Sequence, residues 1–376
     1  MSSRLSPVEL TRDLVRIDTV NPPGNEIRAA GSLAERLRDS GWSADLVEPR
    51  PGRASVIARL EGRDSTRLPI CFTGHLDVVP IGTAAWSVDP FGGEISGERL
   101  YGRGASDMKS GVAAIVCAAA EVARWRNRRA GALLVLTAGE EAGCDGAREL
   151  VELGLLQARA GALVVGEPTR LYPVTAHKGA FWARLVTRGK AAHGSMPELG
   201  ENAIFKMLPV VDRLRALDLG PPNPLQGAPT VNVGVIRGGS IPNQVPDRCE
   251  VLVDVRTVAG LRHDDVRAAL AIAAGDVAEV ERLIDAPPVL TDAADPWVER
   301  IFELAAPYTG ERPRARSINY FTDAAVLRPA LGNPPTVICG PGTPELAHQT
   351  DEYAEVALIE RAVDLYTAIA REWCVG

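Results

Sequence analysis

Three short apolar runs, each followed within a few residues by histidine or acidic side chains, constrain this chain more than any other feature. In Cys71-Phe-Thr-Gly-His75-Leu-Asp77-Val-Val-Pro80, a His and an Asp stand two residues apart before the run stops at a proline. Alternation along an extended segment sends both to one side of a strand end. A carboxylate beside an imidazole can fix its tautomer and free the other ring nitrogen for a metal ion. Gly131-Ala-Leu-Leu-Val-Leu-Thr137 and Ala162-Leu-Val-Val165 are continuously apolar, as in strands covered on both faces. Such strands belong to mostly parallel sheets, whose sites form beyond the carboxyl ends of the strands.

The remaining organisation agrees with an α/β fold. The spacing predicts helices over 6–17 and 26–40, with Ser6-Pro7 as a cap followed by proline at the first helical position. Strands are expected at about 54–60 and 69–74, then a Gly-rich loop over 81–110 and a buried helix over 111–124. Near residue 177 the pattern changes to half-exposed alternation: strand 179–188, helix 201–217, strands 230–236 and 249–256, helix 263–274. That β-α-β-β-α order suits an α+β sandwich with one exposed sheet face. After residue 290 come helix 295–306, strand 335–339 and helix 354–372. We therefore expect a mostly parallel-sheet domain with helices on both faces, residues 1–176 and 291–376, split by an inserted α+β sandwich, residues 177–290. The length of 376 residues accommodates both.

Charge and composition exclude several classes. With 46% hydrophobic and 24% charged residues, the chain reads as globular. The net charge is −7, and the densest basic cluster, Arg124-Trp-Arg-Asn-Arg-Arg129, ends a helical pattern, where cations complement the dipole. A nucleic-acid partner is therefore not expected. The start lacks a signal-peptide core, and no run reaches the roughly 18 apolar residues of a membrane span. The six cysteines show no Cys-x-x-Cys spacing and read as reduced, buried residues of a cytoplasmic protein. No Gly-x-Ser-x-Gly elbow is present, and Gly102-x-Gly104 lacks the third glycine of a dinucleotide fingerprint.

Five segments bring ligand-type residues to the ends or interruptions of apolar runs. They are His75-Leu-Asp77; Tyr101-Gly-Arg-Gly-Ala-Ser-Asp107-Met-Lys-Ser-Gly111; Thr137-Ala-Gly-Glu140-Glu141; Val165-Gly-Glu167-Pro; and Glu345-Leu-Ala-His348-Gln-Thr-Asp351-Glu. Two histidines and three carboxylates with one shared suit two divalent ions roughly 3.5–4 Å apart. Imidazole with carboxylate points to zinc. Adjacent glutamates permit a division of labour, one ligating while the other takes a proton from water.

These segments resemble the co-catalytic zinc acylase and carboxypeptidase family, which includes acetylornithine deacetylase, succinyl-diaminopimelate desuccinylase, aminoacylase and carboxypeptidase G. The resemblance spans nearly the whole chain, including Thr19-Val-Asn-Pro-Pro-Gly-Asn-Glu26, and its most specific run is Gly102-Arg-Gly-Ala-Ser-Asp107-Met-Lys-Ser-Gly-Val. It implies two divalent metal ions, zinc with cobalt as a substitute. Asp107 would bridge them, His75 and Glu167 would complete one site, and Glu141 and His348 the other. Glu140 would be the general base and Asp77 would orient His75. The inserted domain resembles the family's lid and dimerisation domain, which implies a homodimer. Within it Ala192-His193-Gly-Ser-Met-Pro matches the segment whose His reaches a partner subunit's active site and polarises the scissile carbonyl. Asn243, in Gly238-Gly-Ser-Ile-Pro-Asn243, and Arg256, in Asp254-Val-Arg256, would hold the substrate's α-carboxylate. Thr322 would contact substrate, although Tyr-Phe precedes it where relatives have a glycine-rich loop. Gly340-Pro-Gly342 would offer substrate-facing amides. His177, His263 and Cys144 read as structural. The implied activity is hydrolysis of N-acyl-amino acids by metal-bound hydroxide. A dipeptidase or carboxypeptidase is the alternative, and a non-catalytic binding protein on the same fold a remote one.

Overall fold

The computed structural model describes residues 6–156 and 159–376. Its longer strands, in chain order, are β1 (Ser43–Arg50), β2 (Arg53–Leu60), β3 (Ile70–His75), β4 (Ala132–Thr137), β5 (Ala162–Pro168), β6 (Gly179–Arg188), β7 (Thr230–Gly238), β8 (Arg248–Thr257), β9 (Ala278–Ala286) and β10 (Thr336–Gly340). The helices are α1 (Pro7–Val15), α2 (Ile27–Asp39), α3 (Ser110–Ala123), α4 (Asp145–Glu152), α5 (Ala203–Arg215), α6 (His263–Ala274), α7 (Pro296–Thr309), α8 (Ala324–Ala330) and α9 (Val356–Val375). Two compact units emerge. One holds the chain up to Ala176, Leu290–Arg316 and Thr322–Gly376; the other holds His177–Val289 and Ser317–Phe321.

The first unit is built on a six-stranded sheet of order β1-β2-β4-β3-β5-β10. Strands β4, β3, β5 and β10 run parallel, and β1 and β2 add an antiparallel edge. Every residue of β3, β4 and β5 is buried, as their unbroken apolar runs require. On one face Phe72, Leu134, Leu136, Val164 and Val337 share a core with Leu33 of α2, Ile115 of α3, Phe302 of α7 and Ile369 of α9. Each such side chain contributes about 1.5–3 kcal/mol by leaving water. Residues of the opposite face, Leu133, Val135, Leu163 and Val165, are buried too. The helix starts follow their caps. Ser6 accepts from Glu9 N–H ahead of Pro7, and Asp295 accepts from Trp297 and Val298 N–H ahead of Pro296.

The second unit has an antiparallel sheet of order β7-β8-β6-β9. Burial alternates along β8, sending Cys249, Val251, Val253 and Val255 into a core with Met207 and Val210 of α5 and Val266 and Leu270 of α6. The other face carries the polar partners of that alternation.

Three elements depart from the sequence reading. Strand β9 extends the expected β-α-β-β-α order by a fourth strand; a register shift between Arg282 and Ile284 interrupts its alternation and hid it. Strand β1 is an exposed edge strand containing Pro49, a residue that demotes a run as a strand signal. Helix α4 follows Cys144 in the left-handed region and carries Gly146 in its first turn, so it offered no start signal. The expected boundary also shifts. Leu290 belongs with the first unit, and Ser317–Phe321, expected in the first, clusters with the second, where Ile318 C=O accepts the Lys178 N–H.

Candidate metal centre

Strand β3 ends at His75, which is 1% exposed. Its Nδ1 lies 3.0 Å from the Asp77 carbonyl oxygen and 3.5 Å from Asp77 Oδ1. The backbone carbonyl is thus the nearer partner of the ring. The Asp77 carboxylate has further work: Oδ1 accepts the Glu140 N–H at 3.0 Å, and Oδ2 accepts the Glu141 N–H at 3.2 Å and Asn21 Nδ2 at 2.9 Å. It thereby ties the end of β3 to the turn after β4. That turn passes through Gly139 at φ 70°, a left-handed conformation that glycine adopts without the strain of a side chain.

On the other ring nitrogen, His75 Nε2 lies 3.0 Å from Asp107 Oδ1 and 3.7 Å from Glu167 Oε1. Asp107 sits just before α3 in a non-helical conformation, φ −119° and ψ 96°. Its second oxygen, Oδ2, is 3.5 Å from His348 Nε2, which in turn lies 3.2 Å from Glu141 Oε1. Asp107 therefore faces one imidazole with each oxygen. Donor atoms of His75, Asp107 and Glu141, and of His75, Glu140 and Glu167, fall within 4.8 Å of one another. His348 is the most open member, its side chain 51% exposed and its backbone at φ 64°.

In the second unit His193 and Asn243 sit on neighbouring segments: Gly194 N–H donates to Asn243 C=O at 2.7 Å, and Val245 N–H to Ala192 C=O at 2.9 Å. Gly194 permits this approach, since a Cβ there would lie 2.9–3.0 Å from the Asn243 backbone. Ser195 N–H donates to His193 Nδ1 at 3.2 Å, and Ser195 Oγ is 2.7 Å away. A neutral ring accepting at Nδ1 carries its proton on Nε2. Arg256 lies on β8, its Nε donating to Asp254 at 3.0 Å, while Trp182 Nε1 holds Asp254 Oδ1 at 2.9 Å. Phe321 covers the Arg256 guanidinium at 5.9 Å.

The profile described as Peptidase family M20/M25/M40 matches residues 71–372. The chain belongs to this family. It is 33% identical to an acetylornithine deacetylase of Myxococcus xanthus across 100% of both chains, and 29% identical to one of Vibrio atlanticus (strain LGP32) across 98% of both. Its fold is shared with an M20 family metallo-carboxypeptidase of Sulfolobus solfataricus, at TM-score 0.83 and 19% identity, covering 99% of each chain. A Bacillus subtilis protein described as a dinuclear metal binding peptidase from the M20 family superposes at TM-score 0.71 with 17% identity, covering 97% of this chain and 96% of that one. The M20 chain is thus a hydrolase of amide bonds, with a site suited to metal. None of its described helices is long and apolar enough to cross a membrane.

The electrostatics of the donor set fit divalent cations. Burial raises the carboxyls of Glu140 and Glu167 well above their usual range, and neighbouring carboxylates add to it. Burial also disfavours charge on Asp107, yet hydrogen bonds from His348 and His75 outweigh it and hold that carboxyl low. Hydrogen bonds to Asp107 and Glu141 push His348 up to about 10. Acids that retain protons beside imidazoles that gain them mark a shortage of positive charge. A bound divalent ion would be the largest local charge and would meet it. Glu140 Oε1 is buried with no hydrogen-bond partner among the described residues.

Other expected residues take structural places. Thr322 is fully buried, and its hydroxyl accepts the Ala324 N–H at 3.1 Å at the start of α8, so it presents no group to a substrate here. Gly340 N–H donates to Thr169 Oγ1 at 3.1 Å rather than outward. Cys144 Sγ faces the Thr322 carbonyl at 3.7 Å, and His177 Nδ1 the Lys178 carbonyl at 2.8 Å. Asp323 escaped the sequence reading: buried, raised to about 6 by that burial, and bonded by Thr137 Oγ1. Asn21 escaped it as well. Its only signal was its place in Thr19-Val-Asn-Pro-Pro-Gly-Asn-Glu26, a segment quoted for the resemblance with no role given to Asn21.

Proposed function

We propose that this chain hydrolyses the amide bond of N-acyl-amino acids at a centre of two divalent cations, zinc or cobalt, with Glu140 as general base. The observation that carries the reading is the two-sided placement of Asp107, one oxygen toward His75 and the other toward His348. His75 and Glu167 would hold one cation, Glu141 and His348 the other. Bound cations of this kind lower the pKa of water and polarise a carbonyl oxygen.

The side chains supply the rest. Glu140, buried with one oxygen unpartnered, takes a proton from the attacking water and later returns it to the departing amine. Burial raises its carboxyl; bound cations would offset that and leave it ionised to accept the proton. Asp77 holds the Glu140 amide and so aims the base. His193 donates from Nε2 to the developing oxyanion, and Arg256, with its Nε engaged by Asp254, offers its two terminal nitrogens to an α-carboxylate. Asn243 assists at that carboxylate. The chain acts in the cytoplasm, as a homodimer through the second unit, on small acylated amino acids. The relatives named as acetylornithine deacetylases favour an acetyl group. The test is a panel of N-acetyl- and N-succinyl-amino acids and dipeptides with zinc- or cobalt-loaded protein, the product amine being quantified. Acetylated amino acids are expected to turn over fastest. Preference for dipeptides would make the protein a peptidase, and no turnover of any would overturn the reading.

A further inference from the structure

Beneath the loop that carries Asp107 lies a buried ion pair the sequence reading assigned no role. Glu352 is fully buried and Arg103 is 1% exposed. Glu352 Oε1 accepts the backbone N–H groups of Ser106 at 2.8 Å and Asp107 at 3.0 Å, while Oε2 accepts that of Gly104 at 3.0 Å and Arg103 Nη1 at 2.6 Å. The Arg103 guanidinium donates onward to the carbonyls of Gln349 at 3.1 Å, Pro80 at 3.3 Å and His348 at 3.5 Å. One pair thus reaches three chain segments, and each carries a residue of the candidate centre: His75, Asp107 and His348.

Stability does not explain such a pair. Burying two charges is costly, and replacing a buried ion pair by apolar residues of similar volume is often neutral or stabilising. What apolar residues cannot do is answer three loop N–H groups and three carbonyls at fixed positions. We infer that Arg103 and Glu352 are positioning residues: through the backbone they set the two-sided orientation of Asp107 and hold the His348 loop against it. The inference rests on the two-cation reading above and adds the residues that space its two halves.

The test titrates Co²⁺ into metal-free wild-type protein and the variants Glu352→Gln, Arg103→Lys and the double variant Arg103→Met/Glu352→Leu. Visible absorption bands report geometry, competition with a chromophoric chelator reports affinity, and melting of the metal-free protein reports stability. Removing a partner that orients metal ligands commonly lowers affinity by about 10–100-fold. Glu352→Gln is expected to show a loss of that order with altered Co²⁺ bands. The double variant leaves those backbone groups unpaired and is expected to lose stability as well as to keep the affinity defect. Arg103→Lys retains the charge but not the fork, so it perturbs the fold less than Glu352→Gln and shows a smaller defect of the same kind. Wild-type affinity and bands in Arg103→Lys and Glu352→Gln, whatever their melting temperatures, would overturn the inference and leave the two-cation reading standing. Wild-type protein that takes up no pair of Co²⁺ ions would overturn both.

Discussion

The two units treat their polar groups in opposite ways. In the first, His75, Glu140 and Glu167 are each at most 5% exposed, and Asp77 ties down the Glu140 turn and Glu352 the Asp107 loop through backbone N–H groups. In the second, His193 and Asn243 are exposed and Arg256 is half-buried. A buried charged cluster cannot reorganise cheaply, so its geometry must be set by folding. Exposed groups on a separate unit need only a local scaffold, such as the Gly194–Asn243 backbone link. Under the proposed function, cation binding would fall to residues fixed by folding and substrate polarisation to exposed ones.

The largest effect should come from Glu140→Gln, which keeps shape and removes the proton acceptor. A fall in kcat of about 10²–10⁴-fold is expected, with metal content by elemental analysis unchanged. Loss of metal in the variant would make Glu140 a ligand, a role its proximity to His75 and Glu167 also permits, and would blur the line between binding and chemistry inside the first unit. His193→Ala is expected next, at about 10²–10³-fold in kcat, with metal content and melting temperature unaltered because the side chain is exposed. A metal defect there would break the comparison outright.

How much of this could be read from the sequence depends on the kind of contact. The parallel core was legible because β3, β4 and β5 are buried on both faces and so are written as unbroken apolar runs. His75, Asp107, Glu140, Glu141, Glu167 and His348 were legible because ligand-type residues at strand ends and in glycine-rich loops break those runs. Glu352 and Arg103 were not, although both lie inside quoted motifs. A carboxylate that answers backbone N–H groups has no sequence partner to match, since its partners are amides present at every position. Strand β9 was hidden for a different reason: its bulge shifts the phase of an otherwise alternating segment.

Arg256→Lys gives a smaller and more selective effect. Arginine presents two parallel N–H groups to a carboxylate, and lysine is a point charge. A rise in KM of about tenfold is expected, the equivalent of one charge-assisted hydrogen bond of about 1.4 kcal/mol, with kcat little changed. Substrates whose α-carboxylate is capped as an amide should be hydrolysed equally by both proteins. A kcat defect with unchanged KM would instead place Arg256 with His193 as a group that acts in the transition state.

The smallest effect separates charge used for the fold from charge used for the site. In the second unit His263 Nδ1 lies 2.6 Å from Asp285 Oδ1 and its Nε2 lies 2.8 Å from Thr257 Oγ1, while Arg282 Nη1 donates to Asp285 Oδ2 at 3.0 Å. The line Thr–His–Asp has the order of a nucleophile relay, but Thr257 is fully buried and no substrate could reach it. Its effect is on stability. The hydrogen bond from His263, against the opposing cost of burial and with help from Arg282, holds the Asp285 carboxyl below its usual value of 3.8. A carboxyl depressed in the folded state stabilises fully above its unfolded pKa, and that contribution is lost as pH falls through the lower folded value. The Asp285 side chain is 31% exposed, and solvent screening keeps the contribution below about 1 kcal/mol. Protection factors of the β8 amides, corrected for the intrinsic pH dependence of exchange and followed from about pH 5 down to about pH 3, should therefore fall with acid in the wild type and less steeply in His263→Asn. Equal slopes would mean that His263 does not hold the Asp285 carboxyl low in the folded state.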